Sequence, residues 1–145
     1  MATVRGGDKL SGVLKGLADK ITKAKVVKVG FLEGATYPDG TSVPLVAAVQ
    51  NFGSKTIPPR PFFSNMVAEK QSEWPAAVAA NLKDTGYDAK LTLERMGQGI
   101  TGQLRQSIQD TNDPPLAQST IDRKGFEKPL IDTAHMFNSI DHEVE

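Results

Sequence analysis

GQGITG at 97–102 matches the G-x-G-x-x-G spacing with which dinucleotide-binding folds hold a pyrophosphate, and Asp122 stands where such folds place a ribose-binding carboxylate. That chemistry needs the glycines where a strand ends and a helix begins, so that the turn is tight and the phosphate meets the helix N-terminus. Here ERM precedes the glycines and QLRQSI follows them inside one helical pattern. The glycines are therefore read as small residues that let another backbone pack closely, at some cost in helix propensity. No cofactor is expected.

A second constellation is Asp132, His135 and His142. One continuous helix would put all three on one side, but a strand-like end after Ile140 breaks that geometry, and metal ligation needs more donors than this cluster offers. Solvent-facing histidines and no metal are the expectation. The chain has no G-x-S-x-G elbow, P-loop or H-E-x-x-H helix, and no cysteine for a disulfide or thiolate zinc site. Catalysis is not expected, and a hydrolase built on the sparse His and Asp set is the weakest of the readings.

The elements that must position these residues are helices and strands mixed. Leu10, Val13, Leu14, Leu17 and Ile21 recur at helical spacing over 8–23 with lysines opposite, the pattern of an amphipathic helix packed on something larger. Residues 25–32 (KVVKVGFL) suit a strand with one face buried, and Pro38, Asp39 and Gly40 mark a loop after it. Pro44 opens a short, nearly all-apolar helix expected to be largely buried, with Gly53 as its left-handed stop. Residues 63–82 read as helix with Pro75 near a kink or break. The last long helix runs over 88–109, with Leu93, Met96, Ile100, Leu104 and Ile108 as its stripe.

Beyond Pro114 and Pro115 the pattern predicts a loop or mobile arm at about 110–130 with a short helix around 119–124. Asp132 or Thr133 then caps a one- or two-turn helix carrying Met136, Phe137 and Ile140, and the final residues form a strand. The fold class expected is α+β in a single domain: a small antiparallel or mixed sheet packed against several helices, with an extended loop or arm.

Charge adds little for nucleic acid in sum, since Lys plus Arg equal Asp plus Glu at 17 each over 145 residues. The distribution is uneven. Arg5, Lys9, Lys15, Lys20, Lys23, Lys25 and Lys28 face only Asp8 and Asp19 in the first thirty positions, while Glu127, Asp132, Asp141, Glu143 and Glu145 outweigh Lys128 near the other end. Two solvated faces are one account; attraction between copies, or of basic edges to an acidic partner, is the other. No apolar run approaches the roughly 20 residues that span a bilayer and no secretory segment opens the chain, so a soluble protein made in a cytoplasm is expected.

The stretch NFGSKTIPPRPFF at 51–63 concentrates prolines, an arginine and phenylalanines. Prolines fix φ and hold the preceding residues extended, so IPPRP is a stiff connection between two helices. Phe62 and Phe63 supply apolar anchors, and the planar fork of Arg60 can satisfy several carbonyls or a carboxylate. A clamp inside the monomer and a contact between subunits or with a partner both remain open.

With its neighbours, this stretch carries a family resemblance. AAVQNFGSKTIPPRPFF at 47–63, LAQSTIDRKG at 116–125 and KPLIDTAHMFNSI at 128–140, in that order, resemble the hallmarks of the tail-completion or head-tail joining proteins of tailed bacteriophages, over about residues 24–142. Asn51, Phe52, Gly53, Pro58, Pro59, Arg60, Pro61 and Phe62 occupy the first motif. Leu130, Ile131, Asp132, Thr133, Asn138, Ser139 and Ile140 occupy the second, from which Ala134, His135 and Met136 depart. The resemblance implies a structural virion protein of the neck that completes the tail and helps join it to the DNA-filled head, with no catalytic residue. It implies a homo-oligomeric ring, expected to be hexameric, that touches connector, tail terminator or tail tube proteins. Genomic DNA would pass through without sequence-specific binding, and no membrane is involved. The alternative is a small nucleic-acid-binding module using the basic N-terminal region.

Overall fold

The computed structural model describes residues 6–111 and 135–145. Helix α1 (Gly7–Thr22) leads into strand β1 (Val27–Phe31), then α2 (Val43–Phe52) and α3 (Phe62–Lys70). A short 3-10 turn (Gln71–Glu73) joins α3 to α4 (Trp74–Asp84), and α5 (Ala89–Asp110), the one-turn α6 (His135–Asn138) and strand β2 (Ile140–Val144) complete the order. The expected α+β class is what forms: helices packed with a two-stranded antiparallel sheet. The short helix around 119–124, the arm over 112–130 and the capping residues Asp132 and Thr133 lie outside the described residues.

The ends of the helices follow from local chemistry. Ser42 caps α2 by accepting the Leu45 N–H, with Pro44 in the first turn where its missing N–H costs nothing. Asp88 caps α5 by accepting the Leu91 N–H at 3.0 Å. Pro75 falls in the first turn of α4, and the helix expected over 63–82 breaks just before it, because proline cannot donate to the turn behind it.

In the sheet, Val27 pairs with Val144 and Phe31 with Ile140, so two strands more than a hundred residues apart in the sequence lie side by side. Period-2 alternation sends Val27, Val29 and Phe31 to the same face as Val144, His142 and Ile140, and α5 packs against both strands. The other face carries Lys28 and Glu143, and Lys28 also pairs with Glu145 at 2.6 Å. Some of the charge asymmetry noted along the sequence is thus answered within the chain.

The core lies where α2, α3, α5, α6 and β2 meet: Val43, Ala47, Phe62, Met66, Leu104, Ile108, Met136 and Ile140 are all buried in one cluster. The α5 stripe holds as read, with Met96, Leu104 and Ile108 buried and Leu93 and Ile100 half-buried. Two expectations fail. Helix α1 touches α5 but buries no residue, and α2 buries only Val43, Ala47 and Asn51 while Leu45 and Phe52 stand exposed. Apolar periodicity reports which residues seek cover, and among the described residues Leu10, Val13, Leu14, Ile21, Leu45 and Phe52 do not find it.

The glycines of GQGITG divide by position on α5. A Cβ at Gly97 would lie 2.6 Å from Cγ of His142, whereas Gly99 and Gly102 face open space. The close approach is made by the histidine ring on β2, and the backbone-to-backbone contact expected from sequence is replaced by this side-chain seat. Gly97→Ala should cost about 1–3 kcal/mol by overpacking, whereas Gly99→Ala should stabilise by about 0.4–1 kcal/mol through reduced chain entropy. Urea unfolding of the two variants checks the opposite signs.

Candidate functional site

The 51–63 motif folds as an elbow between α2 and α3 whose interior is closed by its own polar groups. At the end of α2, the Gly53 N–H bonds to the Val49 carbonyl at 2.8 Å, and the backbone then takes φ 79° and ψ 176°. This differs from the left-handed helical stop expected there. The positive φ is retained, but ψ is extended because the chain must double back on itself: a Cβ at Gly53 would sit 2.9 Å from the ring nitrogen and Cδ of Pro59. Gly53→Ala should cost about 1–3 kcal/mol from backbone strain alone, read as a lowered urea midpoint.

Ser54 holds the tip, its N–H donating to the Ile57 carbonyl at 2.8 Å and its hydroxyl accepting the Ile57 N–H at 3.1 Å. The chain returns to α2 at Arg60, whose N–H donates to the Gln50 carbonyl at 2.7 Å. Arg60 is 7% exposed, and burial draws its pKa below the ordinary arginine value. Its Nη1 reaches Oε1 of Gln50 at 3.5 Å, so part of the fork is turned back onto the helix it follows.

Pro61 precedes α3 and has no side chain that can cap it. Asn51 does so from the previous helix. Its Oδ1 accepts the Phe63 and Ser64 N–H groups, both at 3.0 Å, and its Nδ2 donates to the Ser64 hydroxyl at 2.8 Å. One buried amide therefore satisfies two of the four N–H groups that any helix start leaves open. Phe62, fully buried, anchors the elbow from below, and its carbonyl accepts the Ser107 hydroxyl of α5 at 2.6 Å.

The residues of the first motif thus separate by direction. Asn51, Arg60 and Phe62 are buried; Gly53 and Pro61 are half-buried; Phe52, Pro58 and Pro59 are exposed. Phe52 is 76% exposed, the most exposed of the large apolar side chains among the described residues. The clamp reading describes Asn51, Arg60 and Phe62, and Phe52 alone among the motif's aromatic residues is left for contact.

Of the second motif, Leu130, Ile131, Asp132 and Thr133 lie outside the described residues. Asn138 ends α6 on the surface, and Ser139 closes that turn by donating to the His135 carbonyl from both its N–H and its hydroxyl. Ile140 is buried at the start of β2, and its carbonyl accepts Nη2 of Arg105 at 2.9 Å while that guanidinium lies 5.8 Å from the Phe137 ring centre.

The histidines do not face solvent as expected. His142 is seated over Gly97, with Nε2 3.0 Å from Oε2 of Glu94, and its side chain is 15% exposed. His135 stacks against Tyr37 with ring centres 5.0 Å apart, and its Nε2 lies 2.6 Å from the Thr36 carbonyl. Each ring is engaged by different neighbours. No group of three or more His, Asp, Glu or Cys side chains among the described residues could hold a metal ion.

A groove of about 680 Å³ runs between α3 and α5 past Asn65, Glu69, Gln103 and Gln106. Its two hydroxyls are committed to backbone carbonyls, Ser107 to Phe62 and Thr111 to Ser107. A smaller cleft of about 250 Å³, almost wholly apolar, opens beside Phe52 between Phe31, Pro44, Ala47, Ala48 and Phe63. Sequence reasoning did not find this cleft or the cap made by Asn51. The signal for the cap was present: a helix that begins after proline, with no Ser, Thr, Asp or Asn at its start, must find its acceptor elsewhere.

No protein-family model, curated protein or solved structure matches the chain. No helix among the described residues is long and apolar enough to cross a membrane.

Proposed function

We propose that this chain is a structural subunit of a bacteriophage neck, a ring-forming component that completes the tail and helps join it to the DNA-filled head. It acts by assembly, with no reaction cycle. One observation carries the reading. Leu10, Val13, Leu14 and Ile21 on α1, with Leu45 and Phe52 on α2, are between 48% and 76% exposed, so two helices present large apolar side chains to solvent. Large apolar side chains grouped along a helix in this way point to a protein contact. The resemblance of the 47–63 and 128–140 stretches to tail-completion proteins supplies the setting, and the stiff elbow supports it by presenting Phe52 from a fixed frame.

The neutral net charge suits a ring around a DNA path, because a bore that gripped phosphates tightly would impede passage. Connector, terminator or tube proteins are the expected neighbours above and below. Imaging of intact particles is the test. Cyclically arranged copies of this chain at the head-tail joint are expected, and particles that lack the chain there would end the reading.

The second reading, a nucleic-acid-binding module, draws on the exposed Lys9, Lys15 and Lys20 of α1. It requires DNA affinity of the isolated chain that falls steeply with salt. Filter binding across a salt series separates it from assembly.

A further inference from the structure

Among the described residues, two of the exposed apolar surfaces differ in shape and in charge. The first is a ridge. Helix α1, 16 residues and so about 24 Å long, shows Leu10, Val13, Leu14 and Ile21 along one side, all at least 48% exposed. The second is a recess. The apolar cleft of about 250 Å³ lies between β1, α2 and the start of α3, and Leu45, Ala48 and Phe52 extend it along the outer side of α2 at spacings of three and four residues.

Charge distinguishes them further. Residues 7–25 carry five lysines against two aspartates, a net charge of +3. Residues 31–54, which supply β1's end, the following loop and all of α2, carry Glu33 and Asp39 and no basic residue. The Thr41 N–H bonds to the Asp39 carboxylate at 2.9 Å and keeps it in its charged form. A helix of net positive charge and a recess whose adjoining loop carries two carboxylates are complementary to each other, whereas neither is complementary to itself.

We propose that the two surfaces are the halves of one joint: the α1 ridge of one copy seats in the β1–α2–α3 recess of the next. The joint rests on the reading of the chain as a ring subunit and names the contact by which that ring is built. A ridge-to-recess contact is heterologous, so each copy has one of each half to offer, and repetition gives a ring when the rotation closes. Phe52 is the rim over which the ridge slides home, and the net positive charge of α1 comes close to the carboxylates of Glu33 and Asp39 in the next copy. Within the chain α1 touches α5, and Leu17 alone of its stripe is half-buried, which leaves Leu10, Val13, Leu14 and Ile21 exposed.

The test uses two variants of the full chain, each altered at an exposed position: Leu14→Asp in the ridge and Phe52→Asp in the recess. Both should fold, with unfolding midpoints close to the parent. In light scattering coupled to gel filtration the parent should associate, and each variant alone should run as a monomer. Mixed in equal amounts, the variants should form a dimer and stop there, because the Leu14→Asp chain keeps an intact recess and the Phe52→Asp chain an intact ridge. A parent that stays monomeric at the highest attainable concentration, association that survives either substitution, or a mixture that stays monomeric would each overturn the joint.

The failure of the joint is separable from failure of the neck assignment. Association insensitive to both variants, with copies still ringed at the head-tail joint of particles, would leave the ring and remove only this contact. Vesicles containing anionic lipid provide the last arm. Binding that is lost with Leu14→Asp and kept with Phe52→Asp would assign the ridge to a lipid surface and overturn the joint.

Discussion

Phe62→Ala is expected to destabilise the chain by about 3–5 kcal/mol, the range for emptying a buried phenylalanine site. Phe62 is wholly buried, edge-on to Phe31 with ring centres 6.2 Å apart and to Phe63 at 6.5 Å, and it lies in the cluster that joins α2, α3, α5 and β2. No single neighbour can move to fill the space without disturbing a second element. The urea midpoint should fall while its slope is kept, the sign of lost stability without a change in the surface exposed. Phe52→Ala, ten positions earlier in the same motif, should stay within about 0.5 kcal/mol of the parent because that ring is mostly in solvent. The pair separates folding from contact within one motif. Equal losses at both positions would mean that the division of the elbow into a buried and a presented half is wrong.

Asn51→Ala should cost about 2–4 kcal/mol, combining a lost helix cap with part-buried N–H groups left without an acceptor. The amide is 4% exposed and serves the Phe63 N–H, the Ser64 N–H and the Ser64 hydroxyl together. Ser64→Ala removes only the last of these and should cost no more than about 1 kcal/mol. Asn51→Asp keeps an acceptor at the start of α3, where negative charge is favoured, and the Ser64 hydroxyl can turn to donate to it; it should lose less than Asn51→Ala. Amide hydrogen exchange gives the local readout. Phe63 and Ser64 should exchange faster in Asn51→Ala than a uniform drop in stability accounts for, and unchanged relative protection would show that the cap is not what holds this helix start.

Much of the architecture was legible because it depends on periodicity and on local breakers. The α1 stripe, the β-branched run of β1, the proline at the start of α2, the break before Pro75 and the stripe of α5 all announce themselves within a window of a few residues, and each element forms within a few residues of where the pattern puts it. Burial was less legible. The α1 and α2 patterns say that one face is apolar, but whether a face is covered depends on what the rest of the chain brings to it. Leu10 and Ile108 are both stripe residues, the first 60% exposed and the second wholly buried.

The motif residues show the same limit. Gly53 could be marked as a place where the chain turns, since glycine supplies positive φ at no steric cost. That Pro59 returns to within 2.9 Å of its missing Cβ is a relation between residues that only the closed elbow creates. Gly97 could be marked as small, but the identity of its neighbour depended on β2 pairing with β1 from the far end of the chain. His142 then arrives over α5 through strand register, which no local spacing encodes.

By itself the sequence determined the α+β class, the positions of the helices and strands, the stiffness of the 57–61 connection and the absence of the common catalytic motifs, because propensity, periodicity and motif spacing are local properties. Only the tertiary structure decided the direction in which each of those residues points. Asn51 became the cap of the next helix, Arg60 and Phe62 turned into the monomer, and Phe52 was left outside beside an apolar cleft. The physical reason is closure: the elbow is one folded unit whose backbone donors must all be satisfied, and the partners that satisfy them are chosen by how α2, α3 and α5 pack.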